Sequence, residues 1–242
     1  MTTYYDNGQK NSETIRTTNG DEIYSLWYEN GQKKSEKHYQ GYKIIGLVFD
    51  WYDNGLTRSV IHFESGQGTQ WYKSGQKSSE GNYKEDILTS WYESGGIESE
   101  GSMKDWTHFG KWIYWYENGQ KKSEGRYEFH QGSIGSYSSY SCKVGSWTTW
   151  YENGQKSSEG EHNDEGVVDE KIGSWTTWYE NGHKSSEGRY KTGDLINERV
   201  GKWTTWYENA QKSSEGEYKD DNRYGKWTDW DEDGQKSSES YY

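Results

Sequence analysis

Large and small or polar residues alternate along most of this chain, and the alternation is broken at regular intervals by short glycine-bearing clusters. The stretch Trp203-Thr204-Thr205-Trp206-Tyr207-Glu208, a break at Asn209-Ala210, then Gln211-Lys212-Ser213-Ser214-Glu215-Gly216 is representative. A period of two on either side of a tight break predicts two strands joined as a β-hairpin. Helical periodicity is absent throughout. The same unit recurs ten times, anchored at Tyr4, Trp27, Trp51, Trp71, Trp91, Trp115, Trp150, Trp178, Trp206 and Trp230. The spacings run 23, 24, 20, 20, 24, 35, 28, 28 and 24 residues, so insertions swell three of the intervals. The predicted organisation is a single array over residues 1–242 with no second domain.

Each position of the unit has a physical reading. Asn-Gly at Asn30-Gly31, Asn118-Gly119, Asn153-Gly154 and Asn181-Gly182 predicts a two-residue type I′ turn, which needs positive φ twice. That turn sets the register: Trp206 opposite Ser213, Tyr207 opposite Lys212, Thr205 opposite Ser214 and Trp203 opposite Gly216. One face then carries Trp203, Thr205, Tyr207, Lys212, Ser214, Gly216 and Tyr218, and the other carries Thr204, Trp206, Glu208, Gln211, Ser213 and Glu215. The first face is expected to be the main packing surface, with the ring three before each anchor lying over the glycine of its own facing strand. The second presents the anchor tryptophans among polar groups.

Composition sharpens this picture. Leu, Ile, Val and Phe supply only 26 residues and net charge is −12, a pattern normally too poor in aliphatic surface to fold. Fifteen Trp and 23 Tyr reverse that expectation, because each ring buries a large area with few rotamers to freeze. Proline is absent, as uninterrupted strand ladders require. Cys142 is alone, so no internal disulfide is expected. The start at Met1 has no apolar leader segment, from which a cytoplasmic location is expected.

The residues Trp115 to Tyr127 and Gly145 to Gly160 closely follow a bacterial consensus, WYENGQKKSEGxYxxGxxxGxW. The chain resembles the bacterial MORN-variant repeat family over about Tyr4 to Tyr242. The resemblance implies an all-β fold, successive antiparallel hairpins making one elongated twisted sheet. Many bacterial members carry an antitoxin label, and eukaryotic relatives are linked to scaffolding, dimerisation and membrane contact. The pattern is lost at Trp51 to Val60 and at Gly95-Gly96-Ile97.

Candidate partner-binding residues follow from recurrence. Glu124, Glu159, Glu187 and Glu215 form an acidic row nine residues after their anchors, either a ladder for a basic partner or carboxylates paired with lysine. Acidic residues two after the anchor are expected on the same face. Trp150, Trp178 and Trp206 form a ring row that suits stacking on a sugar, or packs along the sheet. Tyr137 and Tyr140 lie in the Ser-, Gly- and Tyr-rich insertion Gly132–Ser141, read as a binding rim or as tolerated surface. The insertions 128–144 and 161–172 carry the largest variation. Asn163-Asp164-Glu165 and Asp220-Asp221-Asn222 lack calcium-loop spacing, and the six histidines lack zinc spacing. No metal or cofactor is expected. No catalytic motif is present, and the acidic balance opposes a nucleic-acid groove. The expected function is a non-catalytic protein-binding scaffold, antitoxin- or immunity-like. The alternative is an extracellular or cell-surface array that binds glycan or assembles end to end. A monomer is expected, with head-to-tail association through the terminal strands as the competing state.

Overall fold

A computed structural model describes residues 1–131, 139–163, 169–192 and 197–242. Among the described residues there are twenty strands and no helix, from Thr2–Tyr4 to Lys236–Tyr241. They form ten hairpins, each with its anchor closing the first strand, and every pairing is antiparallel between strands consecutive in the chain. This is the all-β hairpin repeat that the alternation predicts. The chain divides into two compact units, Met1–Thr107 and His108–Tyr242. Each contains five anchors.

The turn differs from the expected one by a residue. Gly31 N–H donates to Tyr28 O at 2.9 Å and Tyr28 N–H donates to Gln32 O at 2.9 Å. That pattern makes a three-residue loop, Glu29-Asn30-Gly31, built on a type I turn with a glycine bulge. Glycine alone takes positive φ, +84° at Gly31 and +83° at Gly154, and Ala210 adopts the same conformation at +66°. The two-residue type I′ reading of Asn-Gly is therefore corrected. Asparagine has another task. In six copies its Oδ1 accepts the N–H two residues on while Nδ2 reaches the next copy's turn, as when Asn153 donates to Glu180 O at 2.7 Å. Paired positive φ occurs instead between hairpins, at Asp105-Trp106 and Asp220-Asp221.

The extra loop residue shifts the register. Trp206 pairs with Lys212 and Thr205 with Ser214, with a bulge between the two pairs. Ser213 is the residue left over, and the Thr205 hydroxyl lies 2.7 and 2.6 Å from those of Ser213 and Ser214. The expected pairings of Trp206 with Ser213 and Tyr207 with Lys212 are thus wrong. Beyond the bulge the expectation holds, with Trp203 opposite Gly216. Lys212 consequently moves to the anchor-tryptophan face.

The packing face is where the chain hides its rings. Trp112, Trp147, Trp175, Trp203 and Trp227 are buried, Trp112 down to 1% exposure. Their seat, however, is not the glycine of their own hairpin. A β-carbon at Gly188 would lie 2.1 Å from Cδ2 of Trp203, and one at Gly216 would lie 2.3 Å from Cδ2 of Trp227. The indoles of Trp147, Trp175, Trp203 and Trp227 each cover the glycine of the preceding copy. Its Nε1 donates to the next carbonyl along, Trp203 to Arg189 O at 3.2 Å and Trp175 to Glu161 O at 3.1 Å. Between these indoles stand Tyr127, His162, Tyr190 and Tyr218, giving an edge-to-face row with centroids 5.0 to 6.3 Å apart. Rings that meet edge to face gain beyond their buried area, which compensates for the scarcity of aliphatic residues.

Candidate interaction face

The opposite face of the second unit is polar and strictly repetitive. Because Lys212 pairs with Trp206, its ammonium is free to bind Glu215 at 2.7 Å while lying 5.8 Å from the ring centroid of Trp230. Lys121, Lys156 and Lys184 repeat this with Glu124, Glu159 and Glu187 at 3.0, 2.8 and 2.6 Å. Those same ammoniums lie 5.5, 5.8 and 5.9 Å from the centroids of Trp150, Trp178 and Trp206. Glu124 and Glu215 also take a second lysine, Lys111 at 3.6 Å and Lys202 at 3.2 Å. The lysine hydrogen bonds hold both of these carboxyls below the usual range, against the opposing effect of burial. The acidic row is thus a row of ion pairs, and the anchor rings, half-buried, each carry a cation over one side.

The acidic residues two after the anchor do not lie on this face, contrary to expectation. Glu117, Glu152, Glu180 and Glu208 sit in the turn loops, exposed, with no ion pair among the described residues. Their backbone carbonyls, Glu117's apart, hold the asparagines of the preceding turns. Nearby hydroxyls support the ladder: Tyr116, Tyr151, Tyr179 and Tyr207 donate to the carbonyls of Trp150, Trp178, Trp206 and Trp230 at 2.8 Å. Burial first, then these carboxylates, raises the Tyr116 and Tyr179 hydroxyls above their ordinary value.

Where successive hairpins meet, a second bulge at Gly145, Gly173 and Gly201, with φ between +61° and +64°, opens a shallow trough beside the ion pairs. One of about 470 Å³ is lined by Glu159, Glu161, Ser174, Thr176 and Arg189. The next, about 380 Å³, is lined by Glu187, Arg189, Lys202, Thr204, Trp206 and Glu215. A smaller one of about 210 Å³ is lined by Lys111, Glu124, Arg126, Ser146 and Thr148. Sequence reasoning missed these cations, although a signal existed: a basic residue follows the strand glycine at Arg126 and Arg189 and precedes the buried indole at Lys111 and Lys202.

The structure brings Glu124, Glu159, Glu187, Glu215, Trp150, Trp178 and Trp206 together on one face. Tyr140 stands apart, stacked on His130 at 5.1 Å. Tyr137 and most of Gly132–Ser141 lie outside the described residues, as do Asp164 and Glu165. Asp220 and Asp221 are engaged with Lys191 and Arg199 at 3.3 and 2.5 Å. No group of three His, Cys, Asp or Glu among the described residues is arranged to hold a metal. The insertions carry one further feature, which no motif in the sequence marks. Asp169, Asn197 and Asp221 each accept a backbone N–H of an earlier copy, from Lys143, Lys171 and Arg199, so each insertion caps its predecessor.

The family model described as MORN repeat variant matches residues 23–40, 110–128, 143–164 and 171–192. The chain therefore carries MORN-variant repeats at four places, three of them in the second unit. No curated protein matches it. Among solved structures it is similar to a TcdB2-TccC3-TEV crystal structure, with 9% identity, 95% of this chain and 14% of that chain covered, and a TM-score of 0.23. A Photorhabdus luminescens Tc holotoxin pore with a TccC3 mutation gives 9% identity, 95% and 14% coverage, and a TM-score of 0.22. The chain spans about one seventh of those chains, and likeness at that level carries no functional weight.

Proposed function

We propose that this repeat scaffold is a non-catalytic protein-binding module whose partner presents a basic surface, acting in the antitoxin- or immunity-like manner that its repeat family suggests. The observation that carries the reading is the row of carboxylates at Glu117, Glu152, Glu180 and Glu208, exposed in successive turn loops without an ion pair among the described residues, beside a row in which Glu124, Glu159, Glu187 and Glu215 are each paired with lysine. Uncompensated charge of one sign in a repeating row steers encounter, whereas paired charge contributes register and little more. The troughs, rich in hydroxyls and charges of both signs, supply hydrogen-bonding positions one repeat apart. Lysines already lie over the anchor rings, which favours a protein over a sugar stacked on them.

Partner capture from the native organism supplies the test protein. Glu152, Glu180 and Glu208 changed together to Gln should slow association and flatten its salt dependence. Changing Glu159, Glu187 and Glu215 to Gln should mainly accelerate dissociation. Unaltered association on removing the turn carboxylates, or capture of glycan with no protein, would overturn the reading.

A further inference from the structure

Seven Asn-Gly pairs recur in the chain, at Asn7, Asn19, Asn30, Asn54, Asn118, Asn153 and Asn181. Asn19 is held at both ends by side chains, its Oδ1 accepting from the Thr17 hydroxyl and its Nδ2 donating to Asp21 Oδ2 at 2.6 Å. Five others are held at both ends through the backbone. Their Oδ1 atoms accept the N–H two residues on, at 2.9 to 3.0 Å. Their Nδ2 atoms donate to the next turn's carbonyl, at 2.6 to 2.9 Å. Asn54 is held at one end only. Its Oδ1 accepts from Leu56 N at 3.1 Å, but among the described residues its Nδ2 reaches no acceptor. The turn that would receive it is Lys73-Ser74-Gly75, where the usual Glu-Asn is replaced. Asn54 and Gly55 are both exposed.

We infer that Asn54 is a self-modification site, the first of the seven to deamidate in the folded protein. In the reaction the Gly55 nitrogen gives its proton to hydroxide and attacks Cγ of Asn54. The new C–N bond closes a five-membered imide as the Cγ–Nδ2 bond breaks, and Nδ2 takes a proton from water, regenerating hydroxide, and leaves as ammonia. One water then opens the ring at either carbonyl, giving aspartate or isoaspartate and one added negative charge. No oxidant or enzyme is needed. Glycine is the least obstructive residue to follow the asparagine, so local sequence favours all seven pairs. The fold discriminates among them, because the amide must swing over the Gly nitrogen. A doubly held side chain must give up two hydrogen bonds to do so, and Asn54 gives up one. One hydrogen bond of ordinary net strength corresponds to a rate difference of about fivefold. The inference does not depend on the partner reading above.

The test is peptide mapping of the intact folded protein held in mildly alkaline buffer until one site has converted. The mass gain of about 1 Da and the isoaspartate content are read at each pair. Tryptic cleavage places Asn54 in its own peptide, Ile44–Arg58, while Asn19 and Asn30 share Thr17–Lys33 and are told apart by fragmentation. A parallel sample in concentrated urea supplies the control, since unfolding releases every tether. The inference requires Asn54 to lead the six doubly held sites, Asn19 included, by about fivefold or more when folded, with the margin lost in urea. Equal rates in the folded protein would overturn it. So would an unchanged lead in urea, which would assign the effect to Leu56 instead of Gln, His or Asp after the glycine. Conversion in urea with none at Asn54 in the folded protein would overturn it as well.

Discussion

The two units share a hairpin but not a way of packing it. In the second, the strand glycines Gly125, Gly160, Gly188 and Gly216 receive the indoles of Trp147, Trp175, Trp203 and Trp227. In the first, the corresponding large positions hold Tyr24, Val48, Gly68 and Leu88, and the corresponding small ones Lys37, Ile61 and Gly81. One pair is inverted. Ile61 stands where the glycine should be and Gly68 where the indole should be, and the two are cross-strand partners. A β-carbon at Gly68 would lie 2.7 Å from Cγ1 of Ile61. One bulky and one bare residue are kept at Ile61–Gly68 and at Gly81–Leu88, in either order, but not where Lys37 takes the small position or where Tyr24 pairs with Thr14. Rings in the first unit fall into local groups, with Phe49 on Trp51 at 5.6 Å and Trp106 against Tyr83 and Phe63 at 5.7 and 6.2 Å. The continuous edge-to-face row belongs to the second unit.

The contrast is most easily broken by truncation. Trp203→Ala should cost about 3–5 kcal/mol, since a buried indole is lost and Gly188 is left bare. Val48→Ala in the first unit should cost about 1–3 kcal/mol. Urea unfolding read by peptide-resolved hydrogen exchange follows each unit separately. Equal losses would show that the row has no special weight.

Acid should separate the units next. His162 occupies a tyrosine position in the row, between Trp147 and Trp175. Burial, then Lys143, push its pKa down to about 4, with Lys171 acting in the same sense and Asp169 against it. Burial likewise lowers His108, 3.9 Å from Trp112. A base whose folded pKa lies below its unfolded value binds fewer protons when native. Its contribution is therefore complete above about pH 6.5 and is lost as pH falls toward 4. For His162 the loss reaches about 3 kcal/mol. His162→Tyr should flatten the pH dependence of the second unit, leaving the part due to His108. An unchanged profile between pH 6.5 and 4 would remove His162 as the source.

The loops give smaller effects and the clearest view of what sequence reveals. Gly154→Val should cost about 1–3 kcal/mol, because a β-branched residue at positive φ is strained and its β-carbon would lie 3.0 Å from Oε1 of Gln120. Ala210→Gly should stabilise by about 0.5–1 kcal/mol by relieving the same conformation. A lowered melting temperature for Ala210→Gly would contradict the loop geometry. Sequence placed every one of these loops and named the glycine. It could not count the loop, since Asn-Gly fits a two-residue turn and a three-residue turn with a bulge equally well. That single residue decided which face Lys212 occupies, and with it the pairing of the acidic row. The seat of Trp203 was similarly hidden. Gly216 lies 13 residues after it and Gly188 15 before, and alternation alone cannot choose between them. His162 was legible in principle, twelve residues after Trp150, where Tyr190 and Tyr218 follow their own anchors. Capping by Asp169, Asn197 and Asp221 bridges copies across insertions of variable length, so no fixed spacing announces it.

Seating each indole on the glycine of the copy before it is the claim on which the packing of the second unit rests, and a double-mutant cycle at Gly188 and Trp203 tests it directly. Gly188→Ala alone should destabilise by about 2 kcal/mol or more, because its β-carbon meets the indole at 2.1 Å. With Trp203→Ala already present, the same change should cost nothing or stabilise slightly, since alanine loses less chain entropy than glycine in a strand. A coupling of about 2 kcal/mol or more between the two sites is the predicted result. Additive effects, with Gly188→Ala equally costly whether or not the indole is there, would contradict it.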